Sequence, residues 1–140
     1  SVICKLYPQV AAGASARLFK SARPDYQDGG QLRDFVYVED CVSVMLWLYE
    51  NPKVSGLFNV GTGKARSFKD LALSVFTAAS MEPKINFIDM PEDLKNKYQY
   101  FTEADISKLR AAGYEEEFAT VEQGVRQYVQ YFMSQQDQYR

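Results

Sequence analysis

Apolar residues recur along this chain in two rhythms, helical spacing and strand-like alternation, and the change from one to the other marks out its elements. Val2, Ile3, Leu6 and Val10 keep helical spacing and Gly13 follows as a C-terminal stop, so residues 1–12 are predicted to form a helix. That helix has no capping residue or strand ahead of it and reads as beginning inside a longer polypeptide. Residues 17–20 suit a short strand, and the turn formers of Arg23-Pro24-Asp25-Tyr26-Gln27-Asp28-Gly29-Gly30 require a surface loop after it. Residues 35–38 alternate into a second short strand. Residues 39–50 carry Val42, Val44, Met45, Leu46, Trp47 and Leu48, which predicts a well-buried helix whose acidic first turn complements its dipole. Asn51-Pro52 ends it.

The run Leu57-Phe58-Asn59-Val60 predicts a strand buried on both faces, closed by Gly61-Thr62-Gly63. Ser67 with Asp70 three positions later is a capping-box variant, so a strand-turn-helix unit is expected there. A further strand is expected at Ile85–Ile88, and Thr102 with Asp105 and Thr120 with Gln123 mark two more helices. The polar residues 135–140 are expected to fray. This alternation predicts an α/β fold with helices predominating toward the end, and no repeat or linker divides residues 1–140 into more than one unit.

Composition adds that the chain folds: 46% of the 140 residues are hydrophobic, with ten Tyr and nine Phe, enough for a packed core. The net charge of −2 comes from Lys and Arg scattered among Asp and Glu, which argues against nucleic acid as a partner. No apolar run approaches the ~20 residues that span a bilayer, and a soluble cytoplasmic protein is expected. Cys4 and Cys41 sit in apolar segments as core thiols. The absence of histidine excludes Ser-His-Asp triads and histidine metal sites.

Among candidate motifs, Gly61-Thr62-Gly63 between a strand and a helix invites a phosphate-cradling reading. The third glycine of a dinucleotide fingerprint is replaced by Lys64, Ala65 and Arg66, and a plain tight turn accounts for the run. Arg33, next to Asp34 and Phe35, follows a long polar loop where a guanidinium can offer two parallel donors to a diphosphate, or can be an ordinary surface arginine. Lys5, Arg17 and Lys20 would add positive charge if the first helix and strand fold against that loop. Lys95, Lys97, Tyr98 and Tyr100 form a cationic and aromatic patch that suits either a sugar nucleotide or a surface over core aromatics.

The runs Arg33-Asp34-Phe35-Val36-Tyr37-Val38-Glu39-Asp40 and Gly56-Leu57-Phe58-Asn59-Val60-Gly61-Thr62-Gly63 resemble the carboxyl-terminal half of extended short-chain dehydrogenases that act on nucleotide sugars. Tyr98-Gln99-Tyr100-Phe101-Thr102-Glu103-Ala104-Asp105, continuing through Leu109-Arg110-Ala111-Ala112-Gly113-Tyr114, narrows the likeness to the ADP-L-glycero-D-manno-heptose 6-epimerase sub-family. Leu18-Phe19-Lys20-Ser21 and Thr120-Val121-Glu122-Gln123-Gly124-Val125 extend it over the whole chain.

The resemblance implies the carboxyl-terminal, substrate-binding part of a Rossmann-type fold, with a small mixed sheet and several helices. It implies an isomerase that uses NADP to oxidise and re-reduce the sugar at C6 in making a lipopolysaccharide core precursor. The proton-transfer tyrosine, its lysine partners and the glycine-rich NADP loop of that family lie upstream of Ser1, so no catalytic, cofactor or metal residue is expected here. The chain alone is expected to be inactive and to partner an ADP-sugar, the cofactor-binding half and further copies of itself. The family's substrate contacts fall on Lys5, Phe19, Lys20, Ser21, Ala22, Arg33 and Tyr98. The resemblance implies that Arg33 clamps the diphosphate, backbone groups around Ser21 meet the nucleotide or sugar, and Tyr98 donates near the phosphates. Lys5 departs from a histidine common in that family, Ser21-Ala22 from a glycine-serine pair, and the loop 23–31 is longer than in some members. Two alternatives stand beside this reading: an epimerase or dehydratase part acting on a UDP- or GDP-sugar, and a shortened, non-catalytic module that binds a sugar nucleotide or a subunit.

Overall fold

The computed structural model describes residues 1–134, so the fraying expected for 135–140 lies outside the described residues. Helix α1 (Val2–Ala11) ends as its sequence predicts. Gly13 turns to φ +83°, and the amides of Ala12, Gly13 and Ala14 return to the last carbonyls of the helix. Strand β1 (Ala16–Phe19) buries Ala16 and Leu18 and exposes Arg17. Strand β2 (Leu32–Arg33) follows the long loop, then helix α2 (Val38–Glu50). Strand β3 (Arg66–Ser67) runs directly into helix α3 (Phe68–Ala78), whose Ser67 and Asp70 close the expected capping box in both directions. Strand β4 (Ile85–Ile88), two short helices α4 (Glu92–Lys95) and α5 (Ser107–Ala111), and helix α6 (Val121–Tyr128) complete the order. Thr120 and Gln123 cap α6 reciprocally, and a π-helical turn at Val129–Met133 extends it.

The small sheet of the sequence reading is split into a parallel and an antiparallel pair. β1 runs parallel to β4, with Ala16 opposite Ile85 and Phe19 opposite Ile88, while β2 pairs antiparallel with β3. The main core lies where α1, β1, α3 and α6 meet around Val10, Leu18, Leu71, Val75, Phe76 and Val125. A smaller cluster gathers Trp47, Phe58, Val60 and Phe118 around Val44, Leu109 and Tyr114.

Four expectations are corrected. The second strand is at 32–33, not 35–38. Leu32 lies opposite Ser67 of β3 on one side and, on the other, accepts from the amide of Thr102 and donates to the carbonyl of Tyr100, whereas residues 35–38 alternate in burial without a ladder partner. Residues 57–60 likewise alternate, with Phe58 and Val60 turned inward and Leu57 85% exposed, but no strand among the described residues pairs with them. Helix α2 is not well buried: only Val44 is fully enclosed, while Met45 is 67% and Leu46 58% exposed. Thr102 does not open a helix. Its amide goes to Leu32, and α5 starts later, with Asp105 accepting from the amide of Ser107. No helix among the described residues is long and apolar enough to cross a membrane.

Candidate functional site

The candidate residues gather where the parallel strands β1 and β4 end. In parallel α/β sheets the carboxyl ends of strands leave backbone groups and loop side chains facing a crevice, which is where ligands bind. The Lys20 amide donates to the Ile88 carbonyl at 2.8 Å, carrying the ladder one residue past β1, and its ammonium pairs with Asp89 at 3.0 Å. Both side chains are substantially exposed, so the pair contributes about 0–1 kcal/mol and leaves Lys20 available to a ligand. Gly29 anchors the long loop against β1: its amide reaches the Phe19 carbonyl at 3.0 Å and its φ is +68°. A Cβ there would come within 3.1 Å of Leu18 and 3.0 Å of Phe87, so a side chain at this left-handed position would be strained and would push on both neighbours.

Residues 21–23 form a tight knot. The Ser21 amide donates to Asp28, the Ala22 amide to the Tyr100 hydroxyl at 2.9 Å, and the Arg23 amide to the Ser21 hydroxyl, which itself donates to the Arg23 carbonyl. The expectation that backbone groups around Ser21 meet the ligand therefore changes form. The amides are already engaged, and what the stretch can offer is carbonyl acceptors.

Arg33 leaves β2 between two aromatic faces, its guanidinium carbon 5.8 Å from the centre of Phe68 and 5.5 Å from that of Tyr98. One Nη1 hydrogen bond to the Leu32 carbonyl at 2.7 Å steers the fork. Stacking and that bond restrict the side chain's rotamers, which lowers the entropy lost when it grips a ligand. Phe19 meets Tyr98 edge to face at 6.0 Å, and Tyr98 meets Tyr100 at 5.7 Å. Burial raises the Tyr98 hydroxyl above its ordinary pKa of 10.0 against the opposing pull of Arg33, so it is a protonated donor at neutral pH. Phe19, Lys20, Ser21, Ala22, Arg33 and Tyr98 are thus brought into one neighbourhood. Lys5 is exposed on α1 and makes no hydrogen bond or ion pair with any of them. Lys95 pairs with Glu92 within α4, and Lys97 is exposed.

The Gly61-Thr62-Gly63 loop is held by Asp34. That carboxylate accepts from the amides of Thr62 (2.8 Å), Gly63 (2.9 Å) and Ala104 (3.0 Å) and from the Thr62 hydroxyl. The next amides are used as well: Lys64 donates to the Thr62 hydroxyl and Ala65 to Glu103. A Cβ on Gly61 would lie 2.7 Å from Asp34 and 2.6 Å from the Ala104 Cβ. The loop is therefore an anion nest filled by the chain's own carboxylate, which is the tight-turn reading with a physical cause. Burial pushes Asp34 up, but the hydrogen bonds from Thr62, Ala104 and Gly63 outweigh it and hold the carboxyl below its ordinary value.

Asp34, Phe68, Arg23 and Tyr26 are neighbours of the site that the sequence reading did not single out as site residues. The visible signal was the alternation of charged and aromatic side chains in the long loop, Arg23-Pro24-Asp25-Tyr26. An apolar cavity of about 380 Å³ between the start of α1, residues 35–38 and α6 holds none of the candidate residues. Its walls, Ile3, Phe35, Leu71 and Val125 among them, offer little to a phosphate. No cluster of metal-ligating side chains occurs among the described residues.

This arrangement is the fold of the carboxyl-terminal part of an extended short-chain dehydrogenase of Rossmann type, the class that includes the nucleotide-sugar epimerases. Residues 1–61 match the NAD dependent epimerase/dehydratase family. In sequence the chain is similar to two ADP-L-glycero-D-manno-heptose-6-epimerases. That of Nitratidesulfovibrio vulgaris strain DP4 is 56% identical over 137 residues, 98% of this chain and 42% of the relative. That of Fusobacterium nucleatum is 45% identical over 145 residues, 99% of this chain and 44% of the relative. The chain thus spans well under half the length of these curated relatives. Among solved structures, the ADP-L-glycero-D-manno-heptose-6-epimerase of Helicobacter pylori superposes with a TM-score of 0.72 at 24% identity, over 96% of this chain and 38% of the other. A UDP-N-acetylglucosamine 4-epimerase from Methanobrevibacter ruminantium, solved with UDP-N-acetylmuramic acid, gives 0.74 at 24% identity, over 96% and 39%.

Proposed function

We propose that this chain is the substrate-binding portion of an NADP-dependent isomerase that interconverts ADP-D-glycero- and ADP-L-glycero-D-manno-heptose by oxidation and re-reduction at C6. The observation that carries this reading is the gathering of Phe19, Lys20, Ser21, Ala22, Arg33 and Tyr98 at the carboxyl ends of β1 and β4. The 56% identity to a heptose epimerase over nearly the whole chain supports the choice of sugar nucleotide. Arg33, pre-set between Phe68 and Tyr98, grips the diphosphate, Lys20 adds charge, and Tyr98 donates from the same side. Lys5 is kept as a substrate contact on the family resemblance alone, since it touches none of these residues.

The hydride chemistry of such a reaction belongs to the nicotinamide cofactor. The Gly61-Thr62-Gly63 loop offers no free cradle for its phosphates, because the amides of Thr62 and Gly63 are spent on Asp34. In this reading the cofactor and the proton-transfer groups belong to another part of the full-length polypeptide. The part of this chain is to hold and orient the sugar nucleotide, and a cofactor-binding half and further copies of the chain are its proposed partners in the cytoplasm.

Arg33→Lys in the full-length polypeptide tests the reading. It keeps the charge and loses the fork, and is expected to weaken ADP-sugar binding by about 1.5–3 kcal/mol. Unchanged affinity and turnover would remove Arg33 from the site. Thermal shifts with ADP, UDP and GDP test the nucleotide, and a larger shift with UDP or GDP would overturn the choice of ADP.

A further inference from the structure

We propose that Arg23, on the long loop after β1, is a second guanidinium for the diphosphate, and that Asp25 occupies its fork as an internal stand-in until ligand displaces it. This rests on the reading of the site as a sugar-nucleotide site and adds to it a binding residue and a latch. Arg23 meets Asp25 fork to fork, Nε to Oδ1 at 3.0 Å and Nη2 to Oδ2 at 2.6 Å. Two parallel N–H donors on two oxygens is also how a guanidinium takes a phosphate, so the carboxylate sits where phosphate oxygens would bind.

The position of Arg23 ties it to the site. Its guanidinium carbon lies 5.3 Å from the centre of the Tyr26 ring and 5.2 Å from that of Tyr100. Tyr100 packs against Tyr98, and Tyr98 carries Arg33 on its own face. Two arginines therefore rest on the two members of one tyrosine pair, and the amide of Ala22, next to Arg23, is bonded to the hydroxyl of that same Tyr100. The aromatic faces hold Arg23 in place without consuming its donors.

Asp25 is poised to leave. The side chains of the pair are 53% and 51% exposed, and an ion pair so wetted contributes little to folding. A diphosphate brings more negative charge than the carboxylate, and with it a stronger pull on the Arg23 fork. Because Asp25 is tethered two residues from Arg23, it competes with every ligand at a fixed local concentration. Removing it should tighten binding. A carboxylate whose role was to orient Arg23 would have the opposite effect.

The experiment is calorimetric titration of the full-length polypeptide with inorganic pyrophosphate and with ADP, UDP and GDP. Arg23→Lys is expected to lower affinity for pyrophosphate and ADP about tenfold or more, as loss of a charge-assisted hydrogen bond requires. Asp25→Ala is expected to raise affinity for both, and the gain to vanish when Arg23→Ala is combined with it. Melting temperatures of all variants should stay close to the parent, which separates binding from folding. Pyrophosphate left unbound by the parent, unchanged affinity in Arg23→Lys, or weaker or unchanged binding in Asp25→Ala overturns the latch. If the variants respond with opposite signs on pyrophosphate while UDP or GDP outbinds ADP, the latch stands and the ADP reading falls. If ADP binds through Arg33 and neither Arg23→Lys nor Asp25→Ala changes it, the ADP reading stands and the latch falls.

Discussion

The cluster around α3 and the cluster around Val44 draw on the same kinds of side chain, yet they are closed to different degrees. In the first, four elements meet on all sides of Phe76, Val75 and Val10, which have essentially no contact with water. In the second, Val44, Leu109 and Tyr114 are enclosed, but their neighbours Trp47, Phe58 and Val60 are only half-buried, and α2 turns Met45 and Leu46 outward. The candidate ligand site sits on the closed side, at the ends of β1 and β4. A site that has to hold its side chains in place profits from the stiffer support. The lesson is that an apolar helix is buried only as far as the elements around it can cover it.

The largest expected effect separates the two clusters. Phe76→Ala should cost about 3–5 kcal/mol, because its cavity is walled by packed helices that cannot collapse. Leu109→Ala should fall near the low end of the roughly 2–5 kcal/mol range, since water and half-buried neighbours can relax into the space. Denaturant unfolding compares them, and equal losses would show the smaller cluster to be as tightly closed as the larger.

A middling effect concerns Asp34, which joins β2 to the loop at 61–63 and to Ala104 and so ties the site side to the second cluster. Asp34→Asn turns an amide donor toward backbone donors and is expected to cost about 1–3 kcal/mol. The sign with pH follows from the depressed carboxyl. Its contribution is fully present above the ordinary value of 3.8 and is lost as pH falls through the lower folded value. The acid limb of the stability curve should be flatter in the variant, and an identical acid limb would show that the carboxylate does not hold the loop.

The smallest effect is expected on the outer face of α2. Leu46→Glu should change stability by no more than about 0.5 kcal/mol while reducing the binding of a dye specific for exposed apolar surface. A loss comparable with that of Phe76→Ala would mean that this face is packed, and the contrast between the two regions would disappear.

Local chemistry alone determined the parts of this protein whose partners lie within one turn. The capping boxes at Ser67 and Thr120 and the glycine stop after α1 stand where the sequence placed them. The candidate site residues came from the family resemblance and not from local spacing, and the fold sets six of the seven in one neighbourhood while leaving Lys5 apart. What the tertiary structure decided is everything that depends on a distant neighbour. Residues 35–38 and 57–60 have the alternation of strands, but a strand needs a second backbone beside it, and the ladder went to Leu32 instead. Thr102 and Asp105 have the spacing of a cap, but the amide of Thr102 is taken by Leu32 and that of Ala104 by Asp34. Arg23 and Tyr26 read as loop residues until the fold lays them on Tyr100, more than seventy positions away. A hydrogen bond or a ring face is available only once, and which of several suitable partners takes it is settled by packing that no short stretch of sequence contains.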